Sequence, residues 1–146
     1  MPLRSLLVGS GDTSRSTDLA LLVLRIVFGL TLAFGHGLGK LPPSEGFVDG
    51  TAAMGFPLPT LFAWAAALSE FAGGVLLALG LLTRPAALFV AITMAVAFVV
   101  RHQAAVTGPE SGEMALLYLA ASVALLLAGA GRYALDAILW RRTATL

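Results

Sequence analysis

Glu70 lies near the middle of a largely apolar stretch, residues 58–82, that is long enough to cross a membrane. An ionised carboxylate at the bilayer centre costs about 2.5–3.5 kcal/mol, so this side chain is expected to face protein, water or a partner charge. Arg25, inside a second apolar stretch at residues 19–34, is a candidate partner. The sequence therefore predicts membrane helices that enclose a polar interior.

The composition places the whole chain in a membrane class. Of its 146 residues, 58% are hydrophobic and 12% are charged, whereas soluble domains carry about 25% charged residues. A helix needs about 20 residues to cross the hydrocarbon core, so this length accommodates four spans and no separate soluble domain. We predict one all-α domain over residues 1–146, an integral membrane four-helix bundle with a short C-terminal interfacial helix.

Apolar runs and turn signals set the expected boundaries. The spans are predicted at residues 17–38, 60–82, 85–102 and 113–130. Arg84-Pro85 makes a short connection between the second and third spans, because proline is tolerated in the first turn of a helix. Residues 133–142 combine aromatic and basic residues in a pattern typical of an interfacial helix.

The positions of lysine and arginine predict the orientation of the chain. With four spans, one side of the membrane receives six of these residues and the other receives two. Cytoplasmic loops carry the excess of positive charge, so both termini are predicted to be cytoplasmic in a bacterial inner membrane. The six are Arg4, Arg15, Arg84, Arg132, Arg141 and Arg142, and the two are Lys40 and Arg101.

Charge and cysteine content exclude several classes of function. The net charge is +1, and no basic patch is interleaved with aromatic residues, so nucleic acid is not an expected partner. The chain has no cysteine, which excludes disulfides and thiolate metal sites. The two histidines with Glu70 or Glu113 form the remaining set of metal ligands, but no HxxH, HxxxH or ExxH spacing occurs. We predict no metal site.

Polar residues from several spans fall in one layer toward the predicted outer face. Arg25 and His36 are 11 residues apart, which returns to nearly the same face of a helix. Glu70 lies roughly 15–18 Å from either end of its span, so the sequence predicts an outward-opening polar pocket floored by Glu70. Its candidate catalytic residues are His36, Glu70, His102, Glu113 and Tyr118, and its candidate substrate-binding residues are Arg25, Lys40 and Arg101.

Each of these residues also has a structural interpretation. An Arg25–Glu70 ion pair would specify helix packing rather than chemistry. Charged side chains at span ends extend to water as a matter of course, and Tyr118 suits an aromatic belt. Intramembrane ionisable groups are functional candidates by default, and their convergence in one layer favours function. Both interpretations remain open at the level of sequence.

Three segments resemble the DoxX family of small four-helix membrane proteins. The resemblance is carried by GHGLGKL at residues 35–41 together with Arg25 and Gly29, by EFAGGVLLALGLLTRP at residues 70–85, and by EMALLYL and GAGRYALD at residues 113–119 and 129–136. All three blocks occur in order and span roughly residues 19–140. The family often has Gly-Pro-Gly and Ser-Leu-Asp where this chain has Gly-Ala-Gly and Ala-Leu-Asp, a departure that lies in the tail.

The resemblance implies a role in membrane redox chemistry. Some members of the family are membrane subunits of thiosulfate:quinone oxidoreductases, and others belong to membrane redox complexes that resist oxidative stress. In the hypothesis that combines this resemblance with the polar pocket, His36 or His102 would hydrogen-bond a quinone carbonyl and Glu70 or Glu113 would relay protons. Arg25 or Lys40 would hold an anionic substrate such as thiosulfate. The chain has no intrinsic redox centre, so a subunit of an oxidoreductase complex is expected rather than a stand-alone enzyme.

The rival hypothesis is a non-enzymatic scaffold. Gly29, Ala33 and Gly37 recur every four residues, and small residues at this spacing let helices approach closely. Distant four-helix relatives act as cargo receptors or assembly factors for membrane proteins. In this hypothesis the small-residue face packs against client helices, so the expected partners beyond the lipid bilayer are other proteins or further copies of this chain.

Overall fold

The computed structural model describes residues 14–142, and every regular element in that part of the chain is helical. Helix α1 continues without a break into a wide π-helical segment and a 3₁₀ turn, and α4 ends in a second π-helical segment. The helices are α1 (Arg15–Leu30, then Thr31–Gly37 and Leu38–Lys40), α2 (Glu45–Ala53), α3 (Pro59–Leu79), α4 (Thr83–Val96, then Ala97–Arg101), α5 (Glu113–Ala128) and α6 (Leu135–Arg142).

Three of the helices within residues 14–142 are long and apolar enough to cross a membrane. They are α1 with its extension (Arg15–Lys40), α3 (Pro59–Leu79) and α4 with its extension (Thr83–Arg101). Helix α5, with 16 residues, is apolar but shorter, so a fourth crossing stays a prediction. Helix α6 occupies the predicted interfacial segment. The predicted N-terminal arm with Arg4 lies outside the described residues.

Local capping residues explain where the helices begin and end. The Ser14 hydroxyl accepts a hydrogen bond from the Thr17 amide, and so α1 begins two residues before the predicted span. Ser44 caps α2 in the same way. Helix α3 begins at Pro59. Proline lacks an amide proton, but the first amides of a helix have no acceptor within the helix, so no hydrogen bond is lost. It stops at Gly80, whose φ of 67° lies in the left-handed region that glycine tolerates.

Helices α1 and α3 pack closely through their small residues. A Cβ atom on Gly29 would collide with the Gly74 carbonyl, and one on Gly37 would collide with the backbone of Phe71. Ala33 is fully buried in the same contact. The face that the scaffold hypothesis assigned to client helices is therefore covered by α3 of the same chain, which removes its basis as a free docking face.

One end of the bundle, called here the Asp136 end, is held together by the residues that follow α5. The Asp136 carboxylate accepts hydrogen bonds from the Leu82 amide at 2.9 Å and from the Thr83 amide and hydroxyl at 3.0 Å. It thereby caps the N-terminus of α4, which lacks a side-chain cap of its own. At the same end, the Asp18 carboxylate accepts a hydrogen bond from the Arg132 amide at 2.9 Å.

Candidate functional site

The opposite end, called the Lys40 end, contains a half-buried ion pair. Lys40 Nζ lies 2.6 Å from both carboxylate oxygens of Glu70. Glu70 is only 2% exposed, whereas the Lys40 side chain is 35% exposed and its Nζ lies 5.6 Å from the centre of the Phe47 ring. Of the three surroundings expected for Glu70 (protein, water or a partner charge), the structure provides a partner charge, and that cation still reaches the surface.

The packing of α1 on α3 brings the two charges together. Gly37 sits against the backbone at Glu70 and Phe71, so the end of α1 lies directly beside the middle of α3. The π-helical segment of α1 and the 3₁₀ turn after it then direct Lys40 toward Glu70. Such π-helical turns are rare and frequently mark functional sites.

Arg25 does not pair with Glu70, which corrects the pairing considered from the sequence. Its side chain is fully buried at the Asp136 end and donates hydrogen bonds to the carbonyls of Tyr133 at 3.1 Å and Ala78 at 3.5 Å. Ala78 is in the last turn of α3 and Tyr133 precedes α6, so both carbonyls lie close to the α3–α4 turn that Asp136 caps. Arg25 is therefore placed to fasten the helices at that end and does not line the pocket at the Lys40 end.

A cleft of about 670 Å³ opens beside the ion pair, between α2, α3 and α4. We call it the α2–α3–α4 cleft. Its walls are mostly apolar. Glu70, which holds Lys40, is in the middle of α3, whereas Arg101 and His102 are at the end of α4, so the polar groups lie at two levels. The main apolar residues are Phe47, Met54, Phe56, Phe62, Phe89 and Ile92, and the remaining polar side chains are Thr51, Ser69 and Thr93.

The rim of the cleft is tied to the loop after α4. His102 Nδ1 lies 2.9 Å from the carbonyl oxygen of Glu110, so this ring nitrogen carries the proton and donates it. Arg101 lies 3.5 Å from the Glu110 carboxylate, but both side chains are exposed. An exposed pair of this kind adds little stability, so Arg101 can exchange Glu110 for another anion at small cost.

The remaining predicted residues lie away from the cleft. The His36 ring meets the Tyr118 ring edge-on, with centroids 5.2 Å apart, and Phe28 packs on Tyr118 at 5.4 Å. This cluster occupies the contact between α1 and α5. Glu113 is exposed in the first turn of α5. The single polar layer expected from the sequence is therefore divided between the cleft and the α1–α5 contact.

Three hydroxyl residues of the cleft, Thr51, Ser69 and Thr93, were missed from the sequence, and the last two contact each other. Thr93 Oγ1 donates a hydrogen bond to Ser69 Oγ at 3.0 Å across the contact of α3 with α4. Ser69 immediately precedes Glu70, and Thr93 lies inside an apolar helix. A search for hydroxyl side chains inside the spans would have found both, but their proximity depends on how α3 and α4 pack.

The site suits an amphipathic ligand better than a metal ion. Among residues 14–142, no three His, Asp or Glu side chains are grouped so that they could hold a metal ion. A cavity of this size, with apolar walls and a few polar groups, is instead typical of small-molecule binding sites. Lys40 and the hydroxyls supply donors at one level, and His102 and Arg101 supply polar contacts at the other.

Comparisons with known proteins place the chain in a family. The sequence profile of the DoxX family matches residues 20–103, more than half of the chain. The chain is 33% identical over 129 residues to the Bacillus subtilis (strain 168) protein named "Putative oxidoreductase CatD", which covers 88% of this chain and 92% of that protein. It is 33% identical over 102 residues to the Escherichia coli (strain K12) "Inner membrane protein YphA", covering 69% and 72% of the two chains. No solved structure matches at a significant level. The chain is a bacterial membrane protein and belongs to the DoxX family.

Proposed function

We propose that this chain is the membrane subunit of a redox complex and that the α2–α3–α4 cleft holds the headgroup of a quinone. The observation that carries the proposal is that the half-buried Lys40–Glu70 pair borders a large, mostly apolar cleft. The similarity to CatD, which is named as an oxidoreductase, supports the redox role. A stable bundle alone would need neither the buried charge pair nor the cavity.

The dimensions and chemistry of the cleft fit a quinone. Its volume of about 670 Å³ lies within the range of roughly 300–1,000 Å³ found for small-molecule sites. Apolar walls suit the ring and the first part of an isoprenoid tail, and a bound quinone would supply the capacity to accept two electrons and two protons. An ammonium group has three protons. Lys40 directs hydrogen bonds to two Glu70 oxygens, so one proton remains for a carbonyl in the cleft.

The predicted roles follow from these positions. Lys40 would donate a hydrogen bond to one carbonyl, and His102 at the other level would orient the ligand. Glu70, rather than the exposed Glu113, would relay protons through Lys40, because it is the carboxylate in contact with the cleft. An anionic substrate such as thiosulfate would meet Arg101 at the rim, since Arg25 lies at the other end. The chain has no cysteine, so we assign electron delivery to a partner subunit.

We further propose four membrane crossings with both termini in the cytoplasm of a bacterial inner membrane. The turn with Arg84 and the segment with Arg132 lie at the Asp136 end, as does the start of α1. Lys40 and Arg101 lie at the opposite end. The excess of positive charge at the Asp136 end supports its placement in the cytoplasm, and the similarity to an inner membrane protein supports the compartment.

Native mass spectrometry of the protein extracted gently from its own membrane tests the proposal. We expect a quinone adduct and a co-purifying redox subunit. Ala66 lines the cleft, so Ala66→Phe fills it and should remove the adduct. Ala120 is exposed on α5, so Ala120→Phe adds the same bulk outside the cleft and should keep the adduct.

Turnover of the complex provides a second readout. With decylubiquinone as acceptor, Glu70→Gln should lower turnover, whereas Glu113→Gln should leave it unchanged. A wild-type protein without quinone, an Ala66→Phe protein that retains quinone, or full turnover in Glu70→Gln would each contradict the proposal. Co-purification of unrelated membrane clients without any small molecule would favour a scaffold.

A further inference from the structure

Hydroxyl side chains inside the helices follow a common pattern. A hydroxyl in an apolar helix is ordinarily satisfied by donating to the backbone carbonyl one turn earlier. Within the described residues 14–142, four hydroxyls do so, at distances of 2.6–3.0 Å. They belong to Thr31, Thr51, Thr93 and Ser122, which donate to the carbonyls of Val27, Phe47, Phe89 and Tyr118.

Ser69 departs from this pattern. Its Oγ accepts a hydrogen bond from Thr93 Oγ1 at 3.0 Å, and within residues 14–142 no backbone carbonyl holds its own hydroxyl proton. Thr93 divides its single proton between Ser69 Oγ and the Phe89 carbonyl, both at 3.0 Å. Both side chains line the cleft and are half-buried. A hydroxyl donor left unmet in an apolar setting is unfavourable, so the cleft offers a donor that an occupant can satisfy.

The charges around the hydroxyl pair limit what that occupant can be. The positive charge of Lys40 is met by both oxygens of Glu70, so this level of the cleft is close to neutral. Arg25 binds backbone carbonyls at the other end of the bundle, and Arg101 lies at the exposed rim. A small anion at the level of Ser69 would lose its hydration without gaining an unneutralised cation, which is costly.

We propose that the Ser69–Thr93 pair is the specificity element of the cleft and that it selects an uncharged amphiphile bearing a carbonyl oxygen. Ser69 donates to that oxygen, and Thr93 orients Ser69 by donating to its Oγ. Small anions are confined to the rim at Arg101. The inference rests on the proposed function, since it assigns recognition within the same cleft.

Binding of decylubiquinone to the purified protein, measured by isothermal titration calorimetry in nanodiscs, tests the inference. Loss of one neutral hydrogen bond predicts about a tenfold weaker affinity for Ser69→Ala. Thr93→Val keeps the shape of the side chain but removes the donor that orients Ser69, so a smaller loss is expected. Ser122→Ala is the matched control, because Ser122 is buried on α5 and bonds only the Tyr118 carbonyl. Its affinity should equal that of wild type.

Competition with thiosulfate separates the two ligand classes. We expect millimolar thiosulfate not to displace decylubiquinone from the wild-type protein. Equal affinity in Ser69→Ala and wild type, or displacement by thiosulfate, would overturn the inference while the proposed quinone site stands. If the wild-type protein itself binds no decylubiquinone, the proposed function and the inference fail together.

Discussion

Lys40 and Glu70 form an ion pair in which one ammonium group contacts both carboxylate oxygens at 2.6 Å. The two partners differ in their access to water, since Glu70 is almost fully buried and a third of the Lys40 side chain is exposed. Removing Lys40 is therefore expected to lower the stability of the protein by a different amount from removing Glu70. Because the two costs differ, measuring them separately distinguishes the effect of the pair on stability from its effect on ligand binding in the cleft.

Lys40→Met should destabilise the protein by about 2–3 kcal/mol, because it leaves a carboxylate buried with its hydrogen bonds broken. Glu70→Gln should cost less, because the released ammonium can turn to water. Unfolding titrations with sodium dodecyl sulfate in mixed micelles give both values. Arg101→Met is the control, since it breaks an exposed pair and should change stability by less than about 1 kcal/mol. Equal costs for Lys40→Met and Arg101→Met would contradict the buried pair.

Gly29→Ala should destabilise the bundle by about 1–3 kcal/mol, as overpacking generally does. The added methyl group would collide with the Gly74 carbonyl, so the backbones of α1 and α3 must separate. Gly35 has open space at the same position, so Gly35→Ala should be neutral or slightly stabilising. The same unfolding titrations compare the two variants. If Gly35→Ala were the more harmful change, the assigned helix contact would be wrong.

Asp136→Ala should lower stability by about 1–2 kcal/mol, the usual cost of losing an N-cap. It should also accelerate hydrogen–deuterium exchange at the amides of Leu82 and Thr83, which donate to this carboxylate. Asp49→Ala provides the control, because Asp49 is an exposed acid on α2. Unchanged exchange at the α3–α4 turn in Asp136→Ala would refute the capping contact.

His102→Ala should weaken quinone retention, whereas His36→Ala should not. His102 lines the cleft, and its ring is oriented by the Glu110 carbonyl. His36 packs against Tyr118 outside the cleft. Native mass spectrometry of the two variants measures the fraction of protein that carries the adduct. The opposite order of effects would move the binding site to the α1–α5 contact.

Single introduced cysteines should report the membrane topology cleanly, because the chain has no cysteine of its own. Asp49→Cys and Glu110→Cys should react with a membrane-impermeant maleimide in intact cells. Thr17→Cys and Tyr133→Cys should react only after the membrane is opened. Labelling of Glu110→Cys and Tyr133→Cys from the same side would show that α5 does not cross the bilayer.

Hydrophobic patterning was sufficient to predict an all-helical chain with long apolar helices and a Glu70 side chain that does not face lipid. Long apolar runs have few alternatives to helices in a membrane, because each backbone polar group must be satisfied within its own segment. The cost of exposing a carboxylate to lipid likewise follows from its depth in the span. Both features are properties of a single chain segment, so they can be predicted without knowing how the segments pack together.

The partner of Glu70 could not be chosen from the sequence. A regular helix places Arg25, His36 and Lys40 on nearly the same face, whereas the structure directs them to three different neighbours. The π-helical segment of α1 changes the phase of the residues that follow it. No residue pattern in the sequence marked that segment, so the division of the polar layer between cleft and aromatic cluster was not foreseen.

The contacts of Asp136 also bear on how the protein should be handled. The DoxX profile ends at residue 103, yet the carboxylate that caps α4 and the Tyr133 carbonyl that receives Arg25 come after α5. A fragment cut at the profile boundary would keep the fully buried guanidinium of Arg25 and lose one of its acceptors. A purification tag fused to α6 would lie next to the same residues and could disturb their contacts. Expression designs should therefore retain the chain through α6 and attach tags at the N-terminus.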